Sequence, residues 1–117
     1  MEFKNYTPHP VNVFDSKNVK ILSIPVELDN NGQKIQVRVS EITEPREPIE
    51  GIPIVKKCYG DVVGLPAPQA GVILIVSIVV LAALQGKRAD VVCPDTGVDS
   101  VVRDGQGNIL GVRRFQV

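Results

Sequence analysis

Val72-Ile73-Leu74-Ile75-Val76-Ser77-Ile78-Val79-Val80-Leu81-Ala82-Ala83-Leu84-Gln85-Gly86 decides the fold class. The first five residues have no polar alternation, which suits a central strand buried on both faces. Ser77 can cap a short helix, and Ala82, Ala83, Leu84 and Gln85 are good helix formers. Gly86 fits the end of that helix, and Lys87 and Arg88 sit where its dipole is negative. The β-branched residues Ile78 to Val80 oppose this reading, and one long strand is the alternative. Ala89-Asp90-Val91-Val92-Cys93 follows as a second buried strand, so residues 72–93 predict a strand–helix–strand unit with a parallel pair.

Outward from this unit the chain reads as strands and turns. Val11 and Val13 flank polar Asn12 in a short strand. Val19 to Leu28 is apolar but contains Pro25, which marks an edge or a bulge. Asp29-Asn30-Asn31-Gly32 is a turn signal, and Ile35, Val37 and Val39 then alternate with polar residues. Residues 19–40 therefore predict a hairpin. Residues 44–51, with Pro45, Pro48 and three glutamates, predict an exposed loop. Ile52 to Tyr59 is a strand that Gly60 should break, with Asp61-Val62-Val63 as a continuation past a bend, and Gly64 to Gly71 is a rigid loop carrying Pro66 and Pro68. Val101–Arg103 and Ile109–Phe115 flank a Gly-rich turn and form a last hairpin. The count is about seven to eight strands with one short helix at about 77–86. That is a β-rich α+β domain spanning 1–117, a curled sheet or partial barrel.

Composition narrows the function classes. The chain has 13 basic and 13 acidic residues and no net charge, which disfavours bulk nucleic-acid binding. Aromatics make up 4%, too few for a single-strand stacking platform. The apolar run from Val72 to Leu84 is thirteen residues, short of the ~20 a bilayer takes. The N-terminus has no apolar signal core, so a cytoplasmic protein without a membrane anchor is expected. Cys58 and Cys93 have neither disulfide nor zinc spacing and read as small buried hydrophobes. No metal site and no cofactor are expected.

Candidate site residues follow from the predicted topology. Ligands of open α/β sheets sit outside the carboxyl ends of the strands. Ser77 follows the first strand, and Pro94-Asp95-Thr96-Gly97 follows the second, so Ser77, Asp95, Thr96 and Gly97 can converge. Free N–H groups at the helix start would favour an anion. The plain alternative is that Ser77 is only a cap and 94–97 only a turn. His9, the single histidine, lies between Pro8 and Pro10 in a constrained turn. Arg103 and Arg113 lie on the last hairpin, where a facing pair could grip a phosphate or carboxylate. Asp95-Thr96-Gly97 matches the aspartic-protease triplet but occurs once, whereas that chemistry needs two carboxylates sharing a proton. No phosphate-binding loop, dinucleotide fingerprint or nucleophile elbow is present.

The motifs Tyr6-Thr7-Pro8-His9-Pro10, Tyr59-Gly60, Gly64-Leu65-Pro66, Pro94-Asp95-Thr96-Gly97 and Val102-Arg103-Asp104 are scattered over most of the chain. With them the sequence resembles small uncharacterised proteins of phages, prophages and bacteria. The resemblance implies a phage-type accessory context and transfers no catalytic residue. Residues and resemblance together lead to the expectation of a non-enzymatic binding protein for a small anionic metabolite or nucleotide signal. The alternatives are a protein–protein interaction module inhibiting a host enzyme, and a small hydrolase or transferase using Asp95, His9 or Cys93. Unpaired strand edges invite homo-oligomers.

Overall fold

The computed structural model describes residues 1–117. Its architecture is β-rich α+β, in several sheets of which none closes into a barrel. The first sheet is built from β1 (Glu2–Asn5), β6 (Val72–Ile75), β7 (Val91–Pro94) and β10 (Phe115–Gln116), in that order. β1, β6 and β7 are parallel, and β10 closes the edge antiparallel to β7. The second sheet has the order β3 (Lys20–Ile24), β2 (Val11–Phe14), β9 (Ile109–Val112), β8 (Val101–Arg103). β4 (Arg38–Ile49) and β5 (Ile52–Val63) form a separate two-stranded ribbon. The one helix, α1 (Ile78–Leu84), joins β6 to β7.

The continuous apolar run of β6 is explained by two cores, one on each face of the first sheet. Ile75 packs with Val11, Val13 and Ile24 of the second sheet, with Phe3, Val92 and Phe115 around them. Leu74 and Val76, the alternate neighbours, pack instead with Val80 of α1 and Val91. The ribbon root, at Val37, Val39 and Val62, covers that second core. A strand loaded on both faces cannot alternate apolar with polar residues.

The two four-stranded sheets are tied together by Asn5, which is fully buried. Its Nδ2 donates to the carbonyls of His9 (2.8 Å) and Ile24 (3.2 Å). Its Oδ1 accepts from the backbone N–H (2.9 Å) and hydroxyl (2.6 Å) of Thr7. Its backbone carbonyl accepts from Glu27 N–H at 2.8 Å. All four hydrogen-bonding valences of the amide are thus used, as a buried amide requires.

Several expectations need correction. Residues 19–40 are not a hairpin. The turn at 29–32 exists, with Asp29 N–H donating to the Gln33 carbonyl at 2.7 Å, but beyond it only Leu28 and Lys34 pair. β3 pairs with β2 across a turn held by the Asp15 carboxylate, and the chain after Lys34 leaves to pair with β5. Burial of Val11, Val13 and Ile24 in one core outweighs a local turn preference. Residues 44–51 are exposed, yet they are strand up to Ile49 and not a loop. Pro45 pairs opposite Val55. A two-stranded ribbon has outward-facing positions on both strands, where a missing N–H costs no ladder bond. Glu50 and Gly51, at φ 49° and 80°, make the two-residue turn with both φ positive that matches strand twist. Nor does Gly60 break β5, which runs unbroken from Ile52 to Val63. The strands number ten rather than seven or eight.

Other expectations hold. Strand, helix and parallel strand occupy 72–94, with Leu74 opposite Val91 and Ile75 opposite Val92. β3 is an edge strand and stops at Ile24, immediately before Pro25. β8 and β9 form the final hairpin around the Asp104 carboxylate, which accepts from the N–H groups of Gln106 and Asn108.

Two measurements check these load paths. Asn5→Ala removes the amide donor from the His9 and Ile24 carbonyls and the acceptor of the Thr7 N–H, and should lower unfolding free energy by about 2–4 kcal/mol in urea titrations. Arg88 grips Asp90 through Nε (2.9 Å) and Nη2 (2.8 Å) and ties Pro66 through its carbonyl. The Arg88 hydrogen bond holds the Asp90 carboxyl below its ordinary range. A depressed folded-state pKa stabilises the fold above the unfolded value of about 4 and is lost as pH falls through the folded value. Asp90→Asn should therefore be less stable than the parent protein at neutral pH, and the two stability curves should converge in acid.

Candidate functional site

The carboxyl ends of β6 and β7 open onto two clefts, and Ser77 lines both. The first, of about 450 Å³, is lined by Tyr6, Pro8, Lys34–Arg38, Ser77 and Val80. The second, of about 430 Å³, lies among Thr7, the 9–12 segment, Ser77, Pro94, Thr96 and β9. Both volumes fall within the range of small-molecule sites.

Each wall has a local cause. Ser77 ends β6 with extended backbone, and its Oγ accepts from Val80 N–H at 3.4 Å, capping α1. The hydroxyl proton remains free to donate. The Thr7–Pro10 turn is held by the Asn5 amide, and the Thr7 hydroxyl also reaches the His9 carbonyl at 2.9 Å. Gly111 forms a wall of the second cleft because nothing larger fits there. A Cβ at that position would lie 2.4 Å from the Asn12 carbonyl oxygen and 2.7 Å from the Phe14 ring. β2 and β9 can run side by side only with glycine at the contact.

The structure brings His9, Ser77 and Thr96 to the same cleft. Asp95 and Gly97 belong to the adjoining turn rather than to its lining. The Asp95 carboxylate turns away to Arg114 Nε at 2.6 Å and accepts from Gly97 N–H at 2.9 Å. The Arg114 bond is the first cause, and the Gly97 N–H the second, of a carboxyl held below its ordinary range. Such a carboxylate stays ionised and is poorly suited to take up a proton as a general base.

Arg103 and Arg113 are not a facing pair and line neither cleft. Arg103 is registered opposite Ile109, and its Nη1 donates to the Gly107 carbonyl at 2.7 Å, closing its own hairpin. Arg113 lies beyond β9 and donates to the Val101 carbonyl and the Asn18 side chain. The bulge between Val102 and Arg103 shifts the register, which alternation alone does not reveal. At the helix start, α1 has seven residues, and Ser77 Oγ takes the N–H of Val80, one of the N–H groups the sequence leaves free.

Sequence reasoning missed Lys34 and Arg38. Both line the first cleft, and both bond to neutral oxygens: Lys34 Nζ to the Pro8 carbonyl at 2.8 Å, Arg38 Nη2 to Gln36 Oε1 at 2.5 Å. Neither has a carboxylate partner, unlike Arg46, Lys57, Arg88 and Arg114. Their sequence signal is slight: two cations four residues apart inside a segment that reads as one side of a hairpin. Tyr6 completes this cleft, and burial, then the charge of Glu27, pushes its phenol up.

Cys93 is buried, its Sγ reaches the Pro94 carbonyl, and burial, then Asp95, pushes its thiol up. A thiol so placed is a weak source of thiolate. Cys58 is only half-buried and sits on the ribbon. Comparison with family models, curated proteins and solved structures finds no match. No helix is long and apolar enough to cross a membrane.

An aromatic disulfide reagent at neutral pH should modify one thiol quickly in the native protein and the second only on denaturation. Cys58→Ser should abolish the fast phase, and Cys93→Ser should leave it intact.

Proposed function

We propose that the protein is a non-enzymatic binding protein for a small anionic metabolite or nucleotide-type signal, acting as a phage-type accessory factor in the host cytoplasm. The observation that carries this reading is the pair of cations without carboxylate partners, Lys34 and Arg38, on one cleft with Tyr6 and Ser77. Two uncompensated cations favour a phosphate or carboxylate group, and guanidinium can bind such a group through two N–H bonds. The Ser77 hydroxyl supplies a donor, and the Tyr6 ring offers an apolar surface for the ligand's body. The neighbouring cleft, with His9 and Thr96, extends the same site across Ser77 for a longer ligand.

The state of the candidate reactive groups supports binding over turnover. Asp95 is committed to Arg114, and Cys93 is buried as a thiol. The resemblance to small phage and prophage proteins supports the accessory setting.

Calorimetry with linear and cyclic nucleotides, alongside mass spectrometry of ligand released from denatured protein, tests the reading. A ligand recovered chemically unchanged is expected. Lys34→Ala and Arg38→Ala should each weaken its binding by about tenfold, the loss of one charge-assisted hydrogen bond. No heat with any nucleotide and no released ligand would overturn the proposal, and a chemically altered ligand would favour an enzyme.

A further inference from the structure

The two clefts that meet at Ser77 differ in chemistry. The first carries Lys34 and Arg38. The second has no lysine, arginine, aspartate or glutamate in its lining. Its carbon surface comes from Pro10, Val11, Pro94 and the β9 residues Ile109, Leu110 and Val112. Val11 and Val112 are buried, whereas Ile109 and Leu110 are 52% and 45% exposed and present their side chains to solvent.

Most polar groups of this second lining are already engaged within the protein. Asn12 Nδ2 donates to the Leu110 carbonyl at 3.2 Å, and Asn12 Oδ1 accepts from the Ser23 hydroxyl at 2.8 Å. The Thr7 hydroxyl has two acceptors for its one proton, Asn5 Oδ1 at 2.6 Å and the His9 carbonyl at 2.9 Å. Ser77 Oγ takes the Val80 N–H. His9 and Thr96 are the polar side chains left over. Such a surface favours the burial of carbon, which asks for no matching donors. A nucleobase asks for hydrogen bonds to its edge and for a ring to stack on. The one aromatic ring here is the His9 imidazole, and His9 is exposed between two prolines.

We propose that the second cleft takes the aliphatic chain of a small phosphate monoester whose phosphate lies on Lys34 and Arg38 in the first. This rests on the cation reading of the first cleft and narrows its ligand class to an alkyl phosphate. Two cations match the charge of a phosphate monoester, which approaches two at neutral pH. Charge also fixes the orientation. The cations lie in one cleft only, so the phosphate takes that cleft and the chain passes Ser77 into the other. The Ser77 proton stands at the crossing, where it can donate to the ester oxygen.

Calorimetry on the full chain with inorganic phosphate, with ethyl, butyl and hexyl phosphate, and with adenosine monophosphate tests the proposal, each below the concentration at which it aggregates. Affinity should rise along the alkyl series by roughly two- to fourfold per methylene, up to the length that fills the cleft. Hexyl phosphate should bind more tightly than the nucleotide. Leu110→Asn, at an exposed position, should weaken hexyl phosphate by about fivefold or more and inorganic phosphate much less, flattening the series. Lys34→Ala should weaken every member together. Equal affinity for inorganic and hexyl phosphate would overturn the chain site and leave the cation site standing. So would a nucleotide that binds more tightly than hexyl phosphate. Failure of every phosphate to bind would overturn both readings. Binding to anionic phospholipid vesicles without affinity for soluble hexyl phosphate would overturn the chain site in favour of a membrane surface.

Discussion

The side-chain amide of Asn5 is the contact on which the rest of the structure depends. It lies where β1 ends, beside Ile75, and bonds to β3 and to the Thr7–Pro10 turn. The two four-stranded sheets share one core, but few backbone bonds run between them: Glu27 N–H to Asn5 is the direct one at this seam. A buried amide that satisfies all its valences only in one arrangement fixes how the sheets meet. An apolar residue would fill the space without choosing an angle.

From that seam the candidate site follows. The turn that Asn5 holds is the turn that carries Thr7, Pro8 and His9 to the two clefts. The clefts exist because the parallel strands β6 and β7 end together, while α1 and the ribbon root cover one face and the second sheet covers the other. Ser77 stands at the meeting point, with its oxygen engaged by the helix and its proton available. The candidate residues Thr7, Pro8, His9 and Ser77 are thus side chains between strands on a rigid frame, and their positions depend on the frame.

The β4–β5 ribbon obeys a different balance. Its root is packed and its outer length is not, so its stability rests on strand pairing and the Glu50–Gly51 turn. The cross-strand ion pair Lys57–Glu41, at 3.4 Å with both side chains about half exposed, adds little by itself.

What the sequence by itself determined was local and periodic. The apolar run of β6, the Ser77 cap, the parallel return at Val91 and the Asp104 hairpin were all legible, because each depends on neighbours within a few residues or on burial of both faces. Placement of Ser77 and Thr96 on a common cleft followed from the same topology. Tertiary structure decided what lies between distant segments. It took β3 to β2 instead of across the 29–32 turn, since shared burial with Ile75 outweighs turn preference. It drew Pro45 into a strand and turned Asp95 to Arg114. The clefts are lined by Lys34 and Arg38 rather than by Arg103 and Arg113, because the β8–β9 register leaves Arg113 beyond the pairing with Val101 and no local pattern records where the chain folds back.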